Sequence, residues 1–473
     1  MRKLNEIFNT DHDVEINDVK TNSKEVKEGD LFVCIKGFNV DRHDYVKDAE
    51  INGAKALVIN RDVDSNLPQI KVSNTNDELV NIVTKFYDYP SKKMNMIGIT
   101  GTDGKTTTST IIYQLLNKFE KTGYIGTNGV ISDNYNETIN NTTPVPEHMH
   151  RILNQLYLTG CKNVVLEVAS EALAQKRCDQ IEFDYSIFTN ISPEHLNYHE
   201  TMEKYLDAKC MLFEQTKANG YCIINIDDTS SNKIIEKCNG KIITYGKNMN
   251  SDYIISDIKT DENSTSFKLK NKNEIYEIKI PLIGEFNAYN MAASLAVLNN
   301  MGYEIKEIQK YFDNLFIPGR FEEIKLGQNY RIIIDFAHTP NAVNNILDYA
   351  NSVKKNRIIS ISGAAGGRWK EKRPIIGKAL IQKSDYVIFT YDDPRTEDVN
   401  EIINQMLLNV ENNKEKYERI TDRTEAIKRA IEIAQKDDII LILGRGNETT
   451  VPINGELIHQ NDLEDVKKVI KGE

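Results

Sequence analysis

The chain has 473 residues, 40% of them hydrophobic and 27% charged, with a net charge of −11 at pH 7. That length predicts several domains of ordinary globular composition, and the acidic balance argues against a nucleic-acid partner, which would select a basic stripe. No apolar run approaches the ~20 residues of a membrane span, residues 1–10 lack the apolar core of a signal peptide, and six cysteines without Cys-x-x-Cys spacing fit a reducing cytoplasm better than a zinc or disulfide framework.

Three segments follow along the chain. Residues 1–90 carry short apolar strands at 31–35 and 56–59, and Tyr87-Asp88-Tyr89-Pro90-Ser91 closes them with turn chemistry. In residues 91–317, apolar strands near 97–100, 163–166, 185–188 and 222–225 alternate with helical patterns, which predicts a mostly parallel sheet covered by helices. Residues 250–280 alternate apolar and polar positions and read as an antiparallel hairpin insert. Pro318-Gly319-Arg320 is the next breaker. Beyond it, in 318–473, strands near 331–334, 357–361, 386–390 and 438–443 again alternate with helices and predict a smaller doubly wound domain.

The most informative stretch is Ile97-Gly98-Ile99-Thr100-Gly101-Thr102-Asp103-Gly104-Lys105-Thr106-Thr107. An apolar strand runs into a glycine-rich turn, a lysine and a set of hydroxyls that opens a helix at Thr106. Glycines let backbone N–H groups wrap a phosphate chain, Lys105 can reach its β and γ phosphates, and Thr106 can hold Mg²⁺. The spacing departs from the generic P-loop, with Ile99 where a glycine is usual. A tight turn alone explains isolated glycines, but not this whole combination.

Three further strand ends carry reactive residues. Glu167 ends the strand at 163–166, where a carboxylate can ligate Mg²⁺ or simply face solvent. His195, in the polar loop after 185–188, can bind a metal or orient a phosphate, and Lys209 sits on the helix that follows; structural or solvated roles are the ordinary alternatives. Asp335 and His338 leave the strand at 331–334.

These segments together resemble the Mur ligase family. Gly101-Thr102-Asp103-Gly104-Lys105-Thr106-Thr107, Glu167-Val168-Ala169-Ser170-Glu171-Ala172-Leu173, Glu194-His195-Leu196-Asn197-Tyr198-His199 with Lys209, and Gly284-Glu285-Phe286-Asn287-Ala288-Tyr289-Asn290 follow its motifs in order. So do Pro318-Gly319-Arg320 and Asp335-Phe336-Ala337-His338. Within the family the likeness is to the members that add the third residue of the peptidoglycan stem peptide. It rests on Asn22-Ser23-Lys24, Gly29-Asp30-Leu31-Phe32, Asn141-Thr142-Thr143-Pro144, Lys372-Arg373-Pro374 and Asp392-Asp393-Pro394-Arg395.

The resemblance implies an α/β chain of three domains: a UDP-binding α/β domain (1–90), a central P-loop-type, mostly parallel ATPase domain (91–317) and a C-terminal Rossmann-like, amino-acid-binding domain (318–473). It implies ATP- and Mg²⁺-dependent amide formation on UDP-MurNAc-L-Ala-D-Glu through an acyl phosphate, with a diamino acid as second substrate, in a cytoplasmic enzyme expected to be a monomer. Lys105, Glu167, His195, Lys209 and His338 are then the catalytic candidates. ATP falls to Gly101, Thr102, Asp103, Gly104, Lys105, Thr106 and Thr107, with Asn287, Asn290, Arg320 and Asp335. The sugar-peptide falls to Ser23, Thr142, Thr143, Ser170 and Arg177. The diamino acid falls to Arg368, Asp392, Asp393, Pro394, Arg395, Gly444 and Glu448. Metal falls to Thr106 and to Glu167, His195 and a carbamylated Lys209.

Four positions depart from the family pattern: Glu171 replaces a histidine, Gly367-Arg368-Trp369 an Asp-Arg-Asp, Gly444-Arg445-Gly446-Asn447-Glu448 a Gly-Lys-Gly-His-Glu, and Asp393 an asparagine. Arg395 can grip a second carboxylate bidentately, which favours meso-diaminopimelate over L-lysine. A polyglutamate-type relative, a switching or transporting P-loop NTPase and a non-catalytic nucleotide-sugar-binding paralogue are the competing readings.

Overall fold

A computed structural model describes residues 1–37, 40–410 and 412–472. Among them the strands form three main sheets. The first is small and parallel, in the order Val19–Lys20, Leu31–Val33, Ala56–Ile59, Gln69–Lys71. Its two central strands, Leu31–Val33 and Ala56–Ile59, are short apolar runs buried on both faces, as parallel sheets require. Helix Thr75–Phe86 covers it with Leu79, Ile82 and Val83.

The second sheet has ten strands. At its centre Phe183–Phe188, Asn95–Thr100 and Asn163–Glu167 run parallel, so their carboxyl ends share one edge. Helix Lys105–Leu116 starts one residue before the expected Thr106, a difference within the ordinary uncertainty of helix ends. It packs Ile111, Ile112 and Leu115 against helix Glu285–Asn300, whose residues 291–298 are buried all round.

The strands Tyr253–Thr260, Thr265–Asn271 and Glu274–Ile280 are not a separate insert. They extend the same sheet, with the hairpin Phe267↔Ile278 in register. Alternation leaves Phe267, Leu269 and Ile278 on one face, and that face needs cover. Helix Glu285–Asn300 provides it, drawing the hairpin into the central core.

The third sheet is parallel over Arg331–Asp335, Ile439–Leu443, Ile358–Ser362, Tyr386–Phe389 and Tyr417–Arg419, with Glu322–Ile324 antiparallel at one edge. Helices cover both of its faces. No helix among the described residues is long and apolar enough to cross a membrane.

Candidate active site

The carboxyl edges of the second and third sheets face each other across a cleft of about 1860 Å³, the place where open α/β sheets bind ligands. The phosphate loop forms one wall. Gly104 adopts φ +84°, and a Cβ there would lie 2.6 Å from Asn290 Oδ1, so only glycine fits. Thr189 Oγ1 and Asn190 Nδ2 donate to the Asp103 carbonyl at 2.7 and 3.1 Å, and Asn190 Oδ1 accepts from the Asp103 N–H at 3.0 Å. The loop is therefore braced from the neighbouring strand end. Lys105 Nζ curls back onto the carbonyls of Gly101 and Thr102 at 2.9 and 2.8 Å. Burial pushes its ammonium below the ordinary lysine value, opposed by the carboxylates Glu167 and Asp103.

Thr106 Oγ1 donates to Glu167 Oε2 at 2.9 Å and accepts from Arg320 Nη2 at 3.2 Å. Glu167 is fully buried. Its Oε1 also receives Tyr124 OH at 2.5 Å and the Thr127 N–H at 3.2 Å. Burial, then Glu167 itself, holds the Tyr124 phenol far above its ordinary pKa, so it stays a donor. Tyr124 and Thr127 lie outside every motif; only the fold brings the strand Thr122–Gly126 beside Glu167.

Thr106 with Glu167 is a set of oxygen donors that suits Mg²⁺. The expected triad of Glu167, His195 and Lys209 is not drawn together in the same way. No group of three or more His, Cys, Asp or Glu side chains poised for a metal occurs among the described residues. Lys209 Nζ donates to the Gly101 carbonyl at 2.9 Å and lies over the Tyr205 ring at 4.3 Å. Burial, then the Lys105 charge, drives its amine well below the ordinary lysine value. His195 turns Nδ1 toward Glu171 Oε1 at 3.2 Å.

At the start of helix Glu285–Asn300, Asn290 Nδ2 donates to Asn287 Oδ1 at 3.0 Å, Asn287 Nδ2 to the Ile283 carbonyl at 2.8 Å, and Thr108 Oγ1 to Asn290 Oδ1 at 3.3 Å. This amide ladder ties helix Glu285–Asn300 to the phosphate-loop helix. The Arg320 guanidinium stacks on Phe336 at 4.1 Å. Asp335 is half-buried, with each oxygen accepting a backbone N–H, from Phe321 and from Ala337, both at 2.7 Å. Burial raises its pKa.

Thr142, Thr143, Ser170 and Arg177 line the same cleft. Thr143 Oγ1 donates to the Glu167 carbonyl at 2.7 Å, and Arg177 Nη1 to the Thr143 carbonyl at 2.9 Å. Ser23 does not line it; it is buried in the first sheet's unit, its carbonyl accepting from Asn52. That unit is joined to the central one by Thr21 Oγ1 on Glu147 at 2.5 Å and by Glu25 on His148 at 3.3 Å.

The far wall comes from the third sheet. His338 Nδ1 donates to the Phe336 carbonyl at 2.8 Å, which leaves Nε2 as the bare nitrogen. Burial, then the Lys372 charge, lowers its pKa well below the ordinary histidine value, so the ring is neutral. Gly444 adopts φ +113° and a Cβ there would meet Asp392 Oδ2 at 2.5 Å. Arg445, fully buried, donates to the Asp392 and Thr450 carbonyls at 3.0 and 2.8 Å and lies 3.5 Å from Glu448. Burial raises the Glu448 carboxyl to about 7, against the pull of Arg445. Arg395 Nε reaches Asp393 Oδ2 at 3.3 Å. Pro394 does not line the cleft.

The two walls are tied across the cleft. Thr339 Oγ1 donates to Asp103 Oδ1 at 3.1 Å, Lys372 Nζ to Glu194 Oε1 at 2.8 Å, and Arg368 Nη1 to Glu171 Oε1 at 3.1 Å. Glu194 and Lys372 stand in segments that carry the family resemblance, but their pairing across the cleft is visible only in the fold.

Fold and site thus define a phosphate-loop α/β enzyme with a second α/β unit closed over the loop. The Mur ligase middle domain matches residues 99–298, the Mur ligase glutamate ligase domain 319–446, and the Mur ligase family catalytic domain 15–93. The UDP-N-acetylmuramoyl-L-alanyl-D-glutamate–2,6-diaminopimelate ligase of Aquifex aeolicus (strain VF5) is 41% identical over 459 residues, covering 96% of this chain and 94% of its own. A solved structure of a ligase of that same name shares 26% identity and a TM-score of 0.68 over 100% of this chain and 99% of its own. A MurF ligase from Thermotoga maritima in complex with ADP aligns with TM-score 0.70 at 21% identity, over 97% of this chain and 99% of its own. The chain belongs to the Mur ligase family.

Proposed function

We propose that this ligase joins a diamino acid, meso-diaminopimelate in preference to L-lysine, to UDP-MurNAc-L-Ala-D-Glu at the expense of ATP, as a step of peptidoglycan precursor synthesis. The carrying observation is that one cleft holds the phosphate loop, the Thr142–Thr143–Arg177 corner and the Asp392–Arg395–Glu448 corner. Three reactants can therefore meet there. In this reading residues 1–90, 91–317 and 318–473 serve the UDP-sugar, ATP and the amino acid, in a cytoplasmic monomer.

The D-glutamyl carboxylate oxygen attacks the γ-phosphorus of ATP, and the bond to the β-phosphate oxygen breaks to release ADP. The amine nitrogen then attacks the acyl carbon, the bond to the phosphate oxygen breaks, and inorganic phosphate leaves. Bringing two anions together in a water-poor cleft needs fixed cations. Lys105 serves the phosphates, and Arg177 the anionic groups of the sugar-peptide. Thr106, with Glu167 behind it, would hold Mg²⁺, which when bound would neutralise charge on the phosphates. The bare Nε2 of His338 takes a proton from the attacking amine. The low proton affinity of the buried Lys209 amine favours the neutral nucleophile that carbon dioxide carbamylates, and ¹³C spectra of protein equilibrated with labelled bicarbonate test for that carbamate. Arg395 keeps its terminal nitrogens free of Asp393, which engages only Nε, and so offers a fork to the distal carboxylate of diaminopimelate.

Mass spectrometry of the product decides. With ATP, Mg²⁺, the UDP-sugar dipeptide and equal diaminopimelate and lysine, the diaminopimelate tripeptide is expected. Lys105→Ala is expected to cut synthesis by about 100-fold or more. A lysine product alone overturns the preference, and no amide with any amine overturns the ligase reading.

A further inference from the structure

Helix Ser170–Ala174 follows the strand that carries Glu167, and its first two side chains both reach the segment after Phe183–Phe188, the strand on the far side of Asn95–Thr100. Ser170 Oγ meets His199 Nε2 at 3.0 Å, and Glu171 Oε1 meets His195 Nδ1 at 3.2 Å. The same Oε1 accepts from Arg368 Nη1 at 3.1 Å. Arg368 stands on the loop between Ile358–Ser362 and Lys372–Lys383, in the opposite wall of the cleft. One carboxylate oxygen therefore joins a histidine of the central unit to an arginine of the C-terminal unit. The contact spans the cleft, so it depends on the two walls being as close as they are here.

A carboxylate only accepts, so His195 must present Nδ1–H to Glu171 and keep its lone pair on Nε2. His195 also adopts φ +55°, a left-handed backbone that side-chain-bearing residues avoid. Its ring is thus held by its neighbours against local preference. With Arg368 withdrawn, Glu171 would keep His195 as its one side-chain hydrogen-bond partner among the described residues.

We infer that Glu171 is a positioning residue that carries closure of the C-terminal unit, received through Arg368, to the orientation and tautomer of the His195 ring. Arg368 then acts on the carboxylate of Glu171 and not on the amino-acid substrate. The inference rests on the ligase reading for its kinetic arm alone.

The test uses the full chain carrying Glu171→Gln, Glu171→Ala, Arg368→Met, Arg368→Lys, and Glu171→Gln with Arg368→Met. In ¹⁵N-histidine spectra with ADP, His195, identified by its loss in His195→Gln, is expected as the Nδ1–H tautomer. Glu171→Ala is expected to move it to a tautomer mixture. In turnover, kcat is expected to fall about 10- to 100-fold in Glu171→Ala and Arg368→Met, the range for groups that orient a ligand through another residue. KM for each substrate should stay within about threefold, the pattern of a lost transition-state interaction. Arg368→Lys should recover part of kcat, and the double variant should be no worse than the poorer single one. An unmoved His195 resonance in Glu171→Ala overturns the inference. So does a double variant whose losses multiply, or an Arg368→Met variant that raises only the KM of the diamino acid. The spectra need no turnover, so a failed ligase assay in the wild-type protein would strike the function and leave the Glu171–His195 contact to be judged by itself.

Discussion

At the scale of single residues, the cleft works by burying charge beside its opposite. Glu448, half-buried beside the fully buried Arg445, shows the cost, because desolvation raises its carboxyl to about 7. A carboxyl whose folded pKa lies above its ordinary value favours the folded state most at low pH, and that contribution is lost as pH rises through 7. Binding runs the other way. On the proposed assignment of Glu448 to the diamino acid, only the ionised form would hold its distal ammonium, so KM for that substrate should fall about tenfold between pH 6 and pH 8, following the ionised fraction. Glu448→Gln should flatten the profile; a slope that survives the substitution would assign the titration elsewhere. Much of the residue-scale chemistry is legible in the chain, because the phosphate loop is local. Lys105 and Thr106 sit within one turn of the glycines that shape their ligand, and no distant contact is needed to place them together. Ser23 shows the limit. Its motif matches, yet its hydroxyl belongs to a unit whose docking on Glu147 and His148 decides what it can reach, and it does not line the cleft.

At the scale of elements, the third sheet depends on one buried ion pair. Arg423, at the start of helix Arg423–Ile433, binds Asp462 through Nε and Nη2, both at 2.7 Å, while Nη1 donates to the Tyr391 carbonyl and Nη2 also to the Leu443 carbonyl, both at 3.0 Å. Both side chains are fully buried. Removing one partner of such a pair strands the other charge, at a cost of about 3–5 kcal/mol. Asp462→Asn should therefore speed hydrogen exchange in Ile439–Leu443, whose last carbonyl Arg423 holds, while Asn95–Thr100 keeps its protection. Equal loosening of both strands would show a global effect instead. The element pattern itself is readable in advance, since the alternation of apolar strands and helices appears in the chain as a change of period. The hairpin Thr265–Asn271/Glu274–Ile280 is legible as a hairpin but not as part of the central sheet. Its alternation shows that one face needs cover and says nothing about which helix covers it.

At the scale of the whole molecule, closure is polar. Lys372 and Glu194 meet at 2.8 Å with their side chains 3% and 5% exposed, and this pair bridges the two walls of the cleft. Lys372→Met leaves Glu194 buried without its cation, which should weaken closure by about 3–5 kcal/mol. An acyl phosphate in a cleft that opens too readily meets water before the amine. The expected result is more ADP released per amide formed, together with a larger radius of gyration by small-angle scattering in the presence of ATP analogue and UDP-sugar. An unchanged ratio of ADP to amide would show that closure has another source.

The amino-acid sequence by itself determined the phosphate loop, the α/β class, the approximate strands and the family, because each depends on short-range backbone geometry or on a local rhythm of apolar residues. The tertiary structure alone decided which charges face one another. Lys372 and Glu194 are 178 positions apart, and Arg368 and Glu171 are 197 apart. Coulomb attraction and desolvation depend on distance through space in a low-dielectric cleft. Order along the chain carries no record of that distance until the domains have packed.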